Sequence, residues 1–381
     1  MARNCFGERE LEFLRQVIEG QVAWRWGKSN FVPRFEEAFG QHLGRRYVHA
    51  VNSGTSANTT AYASLGLEPG DEIICPALAP IFVSFPIVGI GCVPVFADVD
   101  PRTQILSPEA IEACLSPRTR AVVVVHLYGQ PAQMDEVMAV ARRHGLKVVE
   151  DCAQAFDAWY KGRKVGTIGD VACFSLQQSK HITAGEGGMV ATDDPELYQR
   201  AAAFANSGMP WYLYGLPRPK AEPFAGLATR GHFSFGHDFR FSELQAAVAL
   251  AQLERIEEFH ARRRELVAMV ERGVGGLPGV RLAHVYPGTQ PNYWQYPVWG
   301  PERLGRRGEI SYVEVEFQRM QQQRRTSLGI PLPDYVQYRP GTCPRAEAST
   351  LGAWSFFVHH SVDDAEMEAA IQAFRDQVLA T

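Results

Sequence analysis

Five apolar runs recur through the first 150 positions, with helix-patterned stretches between them. They are Tyr47–Val51, Asp71–Cys75, Val93–Phe96, Ala121–Val125 and Lys147–Glu150. The intervening segments read as helices, from the Asn52 turn to about Leu65, then Phe82–Ile90, Pro108–Leu115 and Pro131–His144. In the last of these Met134, Val137, Met138 and Ala141 share one stripe. A strand apolar along its whole length has to be covered on both faces. Strands of that kind alternating with helices predict an α/β architecture built on a mainly parallel sheet. Ligands of such sheets gather at the carboxyl ends of the strands, so the residues found there carry the functional reading.

Three strand ends stand out. Tyr47–Val51 runs into Asn52-Ser-Gly-Thr-Ser-Ala57 and a helix start, which offers free amides and hydroxyls to an anion. Gly54 permits close approach, and Thr55 and Ser56 are the hydroxyl donors. Asp151 follows the strand ending at Glu150 and precedes Cys152-Ala-Gln154. The third end is Val171–Leu176, which continues through Gln-Gln-Ser-Lys180 to a Gly-rich turn and a further strand, Met189–Thr192. A lysine delivered into an interior has its amine pKa lowered, which suits it to Schiff-base chemistry. On its own each feature has a plain structural reading as a helix cap or a loop lysine. Together on one sheet they point to a phosphate-bearing cofactor with a pyridinium N–H on Asp151.

Beyond residue 206 the pattern changes. Residues 207–237 are aromatic and rich in Gly and Pro, consistent with a substrate loop or a loop packed on itself. A single long helix is expected from Ser242 to Leu266, joining two domains at 1–255 and 256–381. The second should be a smaller α+β unit, with strands Val280–Val285 and Tyr293–Trp299 and helices over 311–325 and 363–379. His359 and His360 are adjacent in a strand, point to opposite faces, and imply no metal. Gly273–Gly279 lacks a preceding strand, so a nicotinamide fingerprint is absent. A net charge of -4, with both signs dispersed, argues against nucleic acid as the main partner. Seven scattered cysteines without a C-x-x-C pair fit reduced thiols in the cytoplasm. Acidic residues in the first thirty positions, and no apolar run near the roughly 20 residues that span a bilayer, leave neither leader nor membrane segment in view.

Asn52–Ala57, Glu150–Gln154, Gly162–Asp170, Phe174–Gly188 and Phe239-Arg-Phe-Ser-Glu-Leu-Gln-Ala246 occur in an order that resembles the DegT/DnrJ/EryC1/StrS family of aminotransferases. The resemblance implies a fold-type-I large domain, a smaller C-terminal domain, and a homodimer with shared active sites. It implies pyridoxal 5'-phosphate, cycling with pyridoxamine phosphate, as cofactor. By the same resemblance Lys180 is the cofactor-linking lysine, Asp151 the partner of the pyridine nitrogen, and Gln154 the residue against the ring or its 3'-oxygen. Ser175, Gly54, Thr55 and Ser56 match the phosphate set. Asp238 stands where a partner-subunit asparagine usually reaches the phosphate, with Arg240 near enough in sequence to offset its charge. Pro80 replaces a stacking aromatic, for which Phe82 is a substitute, and Phe156 replaces a histidine. The expected activity is amino transfer from L-glutamate or L-glutamine to a keto-sugar or keto-cyclitol, as in amino-sugar or aminocyclitol antibiotic biosynthesis. Trp354–Ser361 and Gln-Gln-Ser-Lys180 look most like the branch acting on keto-cyclitols. The alternatives are a sugar dehydratase using the same cofactor, whose members carry histidine at the Lys180 position, and a non-catalytic binding or regulatory protein.

Overall fold

The apolar runs become neighbours in a single seven-stranded sheet. The computed structural model describes residues 6–25, 30–210, 216–217, 220, 229 and 231–380. Most of the 207–237 stretch lies outside the described residues. The strands are β1 (Tyr47–Val51), β2 (Glu72–Pro76), β3 (Val93–Ala97), β4 (Thr119–Val125) and β5 (Lys147–Asp151). After the short pair β6 (Trp159–Tyr160) and β7 (Arg163–Lys164) come β8 (Val171–Ser175) and β9 (Gly188–Thr192). Their order is β1-β9-β8-β5-β4-β2-β3. Strands β3, β2, β4, β5 and β8 pair in parallel, while β9 runs antiparallel to both its neighbours. The sheet is mainly parallel, as the apolar strands require.

Two reversals at β9 bring β1 back parallel to β8. The carboxyl ends of β1 and β8 therefore sit on the same rim, on either side of β9. The register makes this concrete, with Val51 opposite Gly188 and Gly188 opposite Ser175. One strand further in, Asp151 pairs with Cys173.

The first helices are α1 (Glu8–Glu19), α2 (Phe31–Leu43), α3 (Gly54–Ser64), α4 (Ile81–Gly89), α5 (Pro108–Ala113), α6 (Met134–His144) and α7 (Pro195–Phe204). Helix α3 packs across β1, β8 and β9. The expected long helix is instead two, α8 (Glu243–Glu254) and α9 (Ile256–Val274). Ser242 opens the first with a capping box to Gln245. The break falls at Arg255 (φ -108°, ψ 9°), whose guanidinium binds Glu258 and Glu10. The cause is packing. Helix α8 is buried between α1 and α2, while α9 must leave to meet the C-terminal helix.

The remainder holds β10 (Arg281–Leu282), β11 (Thr289–Gln290), β12 (Gln295–Trp299), α10 (Val315–Gln323), α11 (Pro344–Ser349), β13 (Ala353–Phe357) and α12 (Asp364–Leu379). The strand expected over Val280–Val285 pairs at two residues only, opposite Trp299 and Val298. The helix expected over 311–325 is split, because Glu314 is extended between a short turn and α10. Leu266, Val270, Tyr296, Val298, Phe356 and Phe374 form a second core. Tyr312, Phe317, Leu332 and Tyr338 return to the first, with the three rings packed around Phe96.

Helix α2 begins after Asn30, which sits in the left-handed region (φ 52°) and gives no side-chain cap. Glu243 supplies one from α8, accepting from the amides of Phe31 (2.7 Å) and Val32 (3.1 Å). Glu243→Ala leaves two buried donors unpaired and should lower unfolding free energy by about 2–4 kcal/mol. Urea titration followed by circular dichroism measures the loss.

Candidate active site

Close backbone approach builds the rim. A Cβ on Gly54 would lie 2.8 Å from the Ser175 Cβ, and one on Gly188 would lie 2.3 Å from the Ser53 carbonyl oxygen. Only glycine at both positions lets the first turn of α3 close over the ends of β8 and β9. Ser53 caps that helix by accepting from the Ser56 amide (3.0 Å), and the Ser56 hydroxyl donates to Asn52 Oδ1 (2.6 Å). Among the described residues the amides of Gly54 and Thr55 and the hydroxyl hydrogens of Thr55 and Ser175 donate to nothing. These four groups converge at a helix start, where negative charge is favoured. Ser56 is part of the scaffold beneath them, its hydroxyl hydrogen already committed.

Asp151 ends β5, nearly fully buried, and both of its carboxylate oxygens are held. Oδ1 accepts from the Ala153 amide (2.9 Å) and Oδ2 from Asn58 Nδ2 (2.8 Å). Gln154 is likewise fixed, its Oε1 accepting from the Tyr128 amide (2.7 Å). Tyr128 takes a left-handed φ of 61°, and its hydroxyl donates to Gln104 (3.0 Å).

Lys180 lies in a loop closed at its base, where the Leu176 amide donates to the Gly187 carbonyl (2.8 Å). Two groups from later in the chain grip this loop. Trp294 Nε1 donates to the Ser179 carbonyl (2.8 Å), and buried Arg263 donates through Nη2 to the Lys180 carbonyl (3.0 Å). The Lys180 ammonium stands 4.0 Å from the centroid of the Trp294 ring. Its pKa falls to about 8 because burial outweighs the opposing attraction of Asp151, with Arg263 lowering it further. A substantial fraction of the amine is thus an unprotonated nucleophile at mildly alkaline pH. His181 is buried and neutral, its Nε2 donating to the Asn292 carbonyl (2.8 Å).

A cavity of about 310 Å³ adjoins this cluster, lined by Pro80, Tyr128, Gln154, Trp294, Arg307 and Trp354 among others. Phe82, the expected aromatic substitute, is more exposed than buried and is not part of that lining. Phe156 packs in the core against Phe39 and Phe174 rather than on the cavity wall. Asp238 is exposed and ion-paired with Arg240 (2.9 Å). The neighbouring Phe239 carbonyl accepts from the Asn52 amide (2.9 Å), so the segment runs beside the α3 turn. No hydrogen bond among the described residues ties Asp238 itself to Gly54, Thr55, Ser175 or Lys180. Sequence reasoning missed Asn58, Tyr128, Arg263 and Trp294. Only Asn58 carried a signal, lying one helical turn after Gly54.

The closest set of potential metal ligands among the described residues is His126, Glu150 and Cys152. His126 Nδ1 accepts from the Ala132 amide, so its Nε2 donates to Glu150, which also accepts from the amides of Gly166, Ile168 and Gly169. Burial raises the Cys152 thiol pKa. Those lone pairs are spent on structure.

A helix start with spare donors, a fixed carboxylate and a deprotonatable lysine on one strand rim are the groups that pyridoxal 5'-phosphate needs. The profile of the DegT/DnrJ/EryC1/StrS aminotransferase family matches residues 4–375. The chain belongs to this family. Its sequence is similar to the GDP-perosamine synthase of Caulobacter vibrioides, 34% identical over 360 residues that cover 94% of this chain and 92% of that protein. It is equally similar, at 34% over 395 residues, to the L-glutamine:2-deoxy-scyllo-inosose aminotransferase of Micromonospora echinospora, covering 96% and 91%. Among solved structures, the aminotransferase from Psychrobacter cryohalolentis superposes with a TM-score of 0.81 at 28% identity, covering 98% of this chain and 97% of that one. As a member of the family the chain is an aminotransferase of the fold-type-I class. Among the described residues no helix is long and apolar enough to cross a membrane.

The lowered pKa has a direct readout. In the cofactor-free protein, trinitrobenzenesulfonate should label Lys180 with a rate that rises with pH and is half-maximal near about 8, against 10.5 for an ordinary lysine. Peptide mapping by mass spectrometry at a series of pH values checks this.

Proposed function

We propose that this aminotransferase holds pyridoxal 5'-phosphate at the strand rim and transfers an amino group from L-glutamine or L-glutamate to a keto-cyclitol or keto-sugar. The observation that carries the reading is Lys180, an amine lowered to about 8 on the same rim as fixed Asp151 and the open start of α3. Both relatives support it, one named for a 2-deoxy-scyllo-inosose acceptor with L-glutamine as donor, the other for GDP-perosamine. An amine at position 180, where the dehydratase reading requires histidine, favours transfer over dehydration.

In this reading Gly54, Thr55 and Ser175 bind the phosphate, and Ser56 supports their turn. Asp151, immobilised by Asn58 and Ala153, would keep the ring nitrogen protonated, and Gln154, held by the Tyr128 amide, would lie against the ring or its 3'-oxygen. When bound, the cofactor supplies the sink for the electron pair left as a substrate carbon loses its proton. Lys180 would anchor the cofactor, and with its amine free would move that proton as general base and acid. Its lowered pKa makes both directions accessible. Arg263 and Trp294 hold the lysine's backbone while its side chain swings. Two copies of the chain form the working unit, with the Asp238–Arg240 pair facing the neighbouring site. The buried thiols, with pKa values raised by burial at Cys75, Cys152 and Cys173, suit a reducing cytoplasm.

Lys180→Ala should reduce turnover by about 10⁴-fold, the upper range of general acid–base contributions. Asp151→Asn should slow proton abstraction while the cofactor's phosphate contacts remain. Absorbance titration with L-glutamine and L-glutamate, followed by keto-cyclitols, measures both. An active Lys180→Ala enzyme would overturn the reading.

A further inference from the structure

Among the described residues, the cavity near Lys180 is lined by one cation whose purpose the fold does not explain. Arg307 lies with its guanidinium carbon 3.6 Å from the centre of the Trp354 ring. Stacking of this kind holds a guanidinium flat and leaves its N–H edge outward. No side-chain hydrogen bond or ion pair engages that edge among the described residues. Glu309 lines the same cavity two positions on, yet no ion pair joins the two. The stem is fixed as well. The Arg307 amide donates to the Thr350 carbonyl (2.9 Å), the Ala79 amide donates to the Glu309 carbonyl (3.2 Å), and Leu78 bridges Ile310. Gly308 between them has φ 128°, a region that favours glycine. An exposed arginine with no structural bonds of its own, on a braced segment and a flat ring, is a preset fork for a pair of anionic oxygens.

The cavity's size selects among anions. About 310 Å³ lies at the small end of ligand pockets and accepts one amino acid or one free cyclitol. A nucleoside diphosphate attached to such a ring would extend beyond it. Among the described residues the remaining polar lining is neutral or acidic, namely Tyr128, Gln154, Gln295, Ser355 and Glu309, which suits hydroxyls. We propose that Arg307, held on Trp354, is the clamp for the carboxylate of the amino donor, and that the uncharged acceptor later occupies the same cavity through the polar groups opposite. The inference rests on the amino-transfer reading for its donor, while the clamp can be tested without turnover.

The test is calorimetric titration of the pyridoxal-phosphate-loaded protein with glutaramate, which is glutamine without its amine, and with glutaramide, which has no carboxylate. Arg307→Gln should weaken glutaramate roughly ten- to hundredfold, the loss expected for a charge-assisted bond, and leave glutaramide unchanged. Arg307→Lys should fall between, keeping the charge but losing the fork. In turnover most of the loss should appear in the KM for the donor rather than in kcat or in the KM for the acceptor. Unchanged glutaramate binding in Arg307→Gln would overturn the clamp, as would absence of glutaramate binding to the unaltered protein. Weakened binding of uridine diphosphate instead would assign Arg307 to a nucleotide-linked acceptor and overturn it too. Glutaramate binding that depends on Arg307 in a protein without transaminase activity would leave the clamp standing and sink the amino-transfer reading alone.

Discussion

The rim depends on two missing side chains. Gly188 lets the Ser53 carbonyl lie over β9, and Gly54 lets the start of α3 touch Ser175. Without that contact the spare amides of α3 and the hydroxyl of Ser175 would not converge. The strand order supplies the rest, because β9 reverses twice and returns β1 parallel to β8. A single antiparallel strand inside a parallel sheet therefore places the open start of α3 beside the lysine loop. Asp151, one strand further in, lies on the same carboxyl edge, where ligands of such sheets gather.

Electrostatics follow from depth. Asp151 attracts the Lys180 ammonium, and on charge alone the amine would be harder to deprotonate. Burial wins, and Arg263 adds to it. The same depth makes Asp151 depend on donors, and Asn58 and Ala153 provide them. Arg263 acts twice, once as a charge and once as a donor to the lysine's own carbonyl.

Much of this was legible in the sequence, because its causes are local. Apolar runs such as Ala121–Val125 can only be central strands, and Gly54, Asp151 and Lys180 sit where strand ends must be. The family resemblance rested on those same residues, and the family profile spans nearly the whole chain. What escaped has long-range causes. The break at Arg255 is invisible in a continuous apolar stripe, because it answers to where α1, α2 and α12 lie. Phe82 read as a ring over the cofactor, yet the start of α4 turns it outward. Arg263 reaches the Lys180 carbonyl from 83 residues away, and Trp294 the Ser179 carbonyl from 115. No spacing rule could pair them with it.

Arg263 also binds the carbonyls of Tyr293 and Val358, which lie at the edge of the second core. Its own helix, α9, is the stem on which that core is built. Lys180 is thus suspended from the smaller core as much as from the sheet that precedes it. A rotation of one core against the other would carry the lysine's backbone with it, and the reactive amine would register the movement as a change of reach.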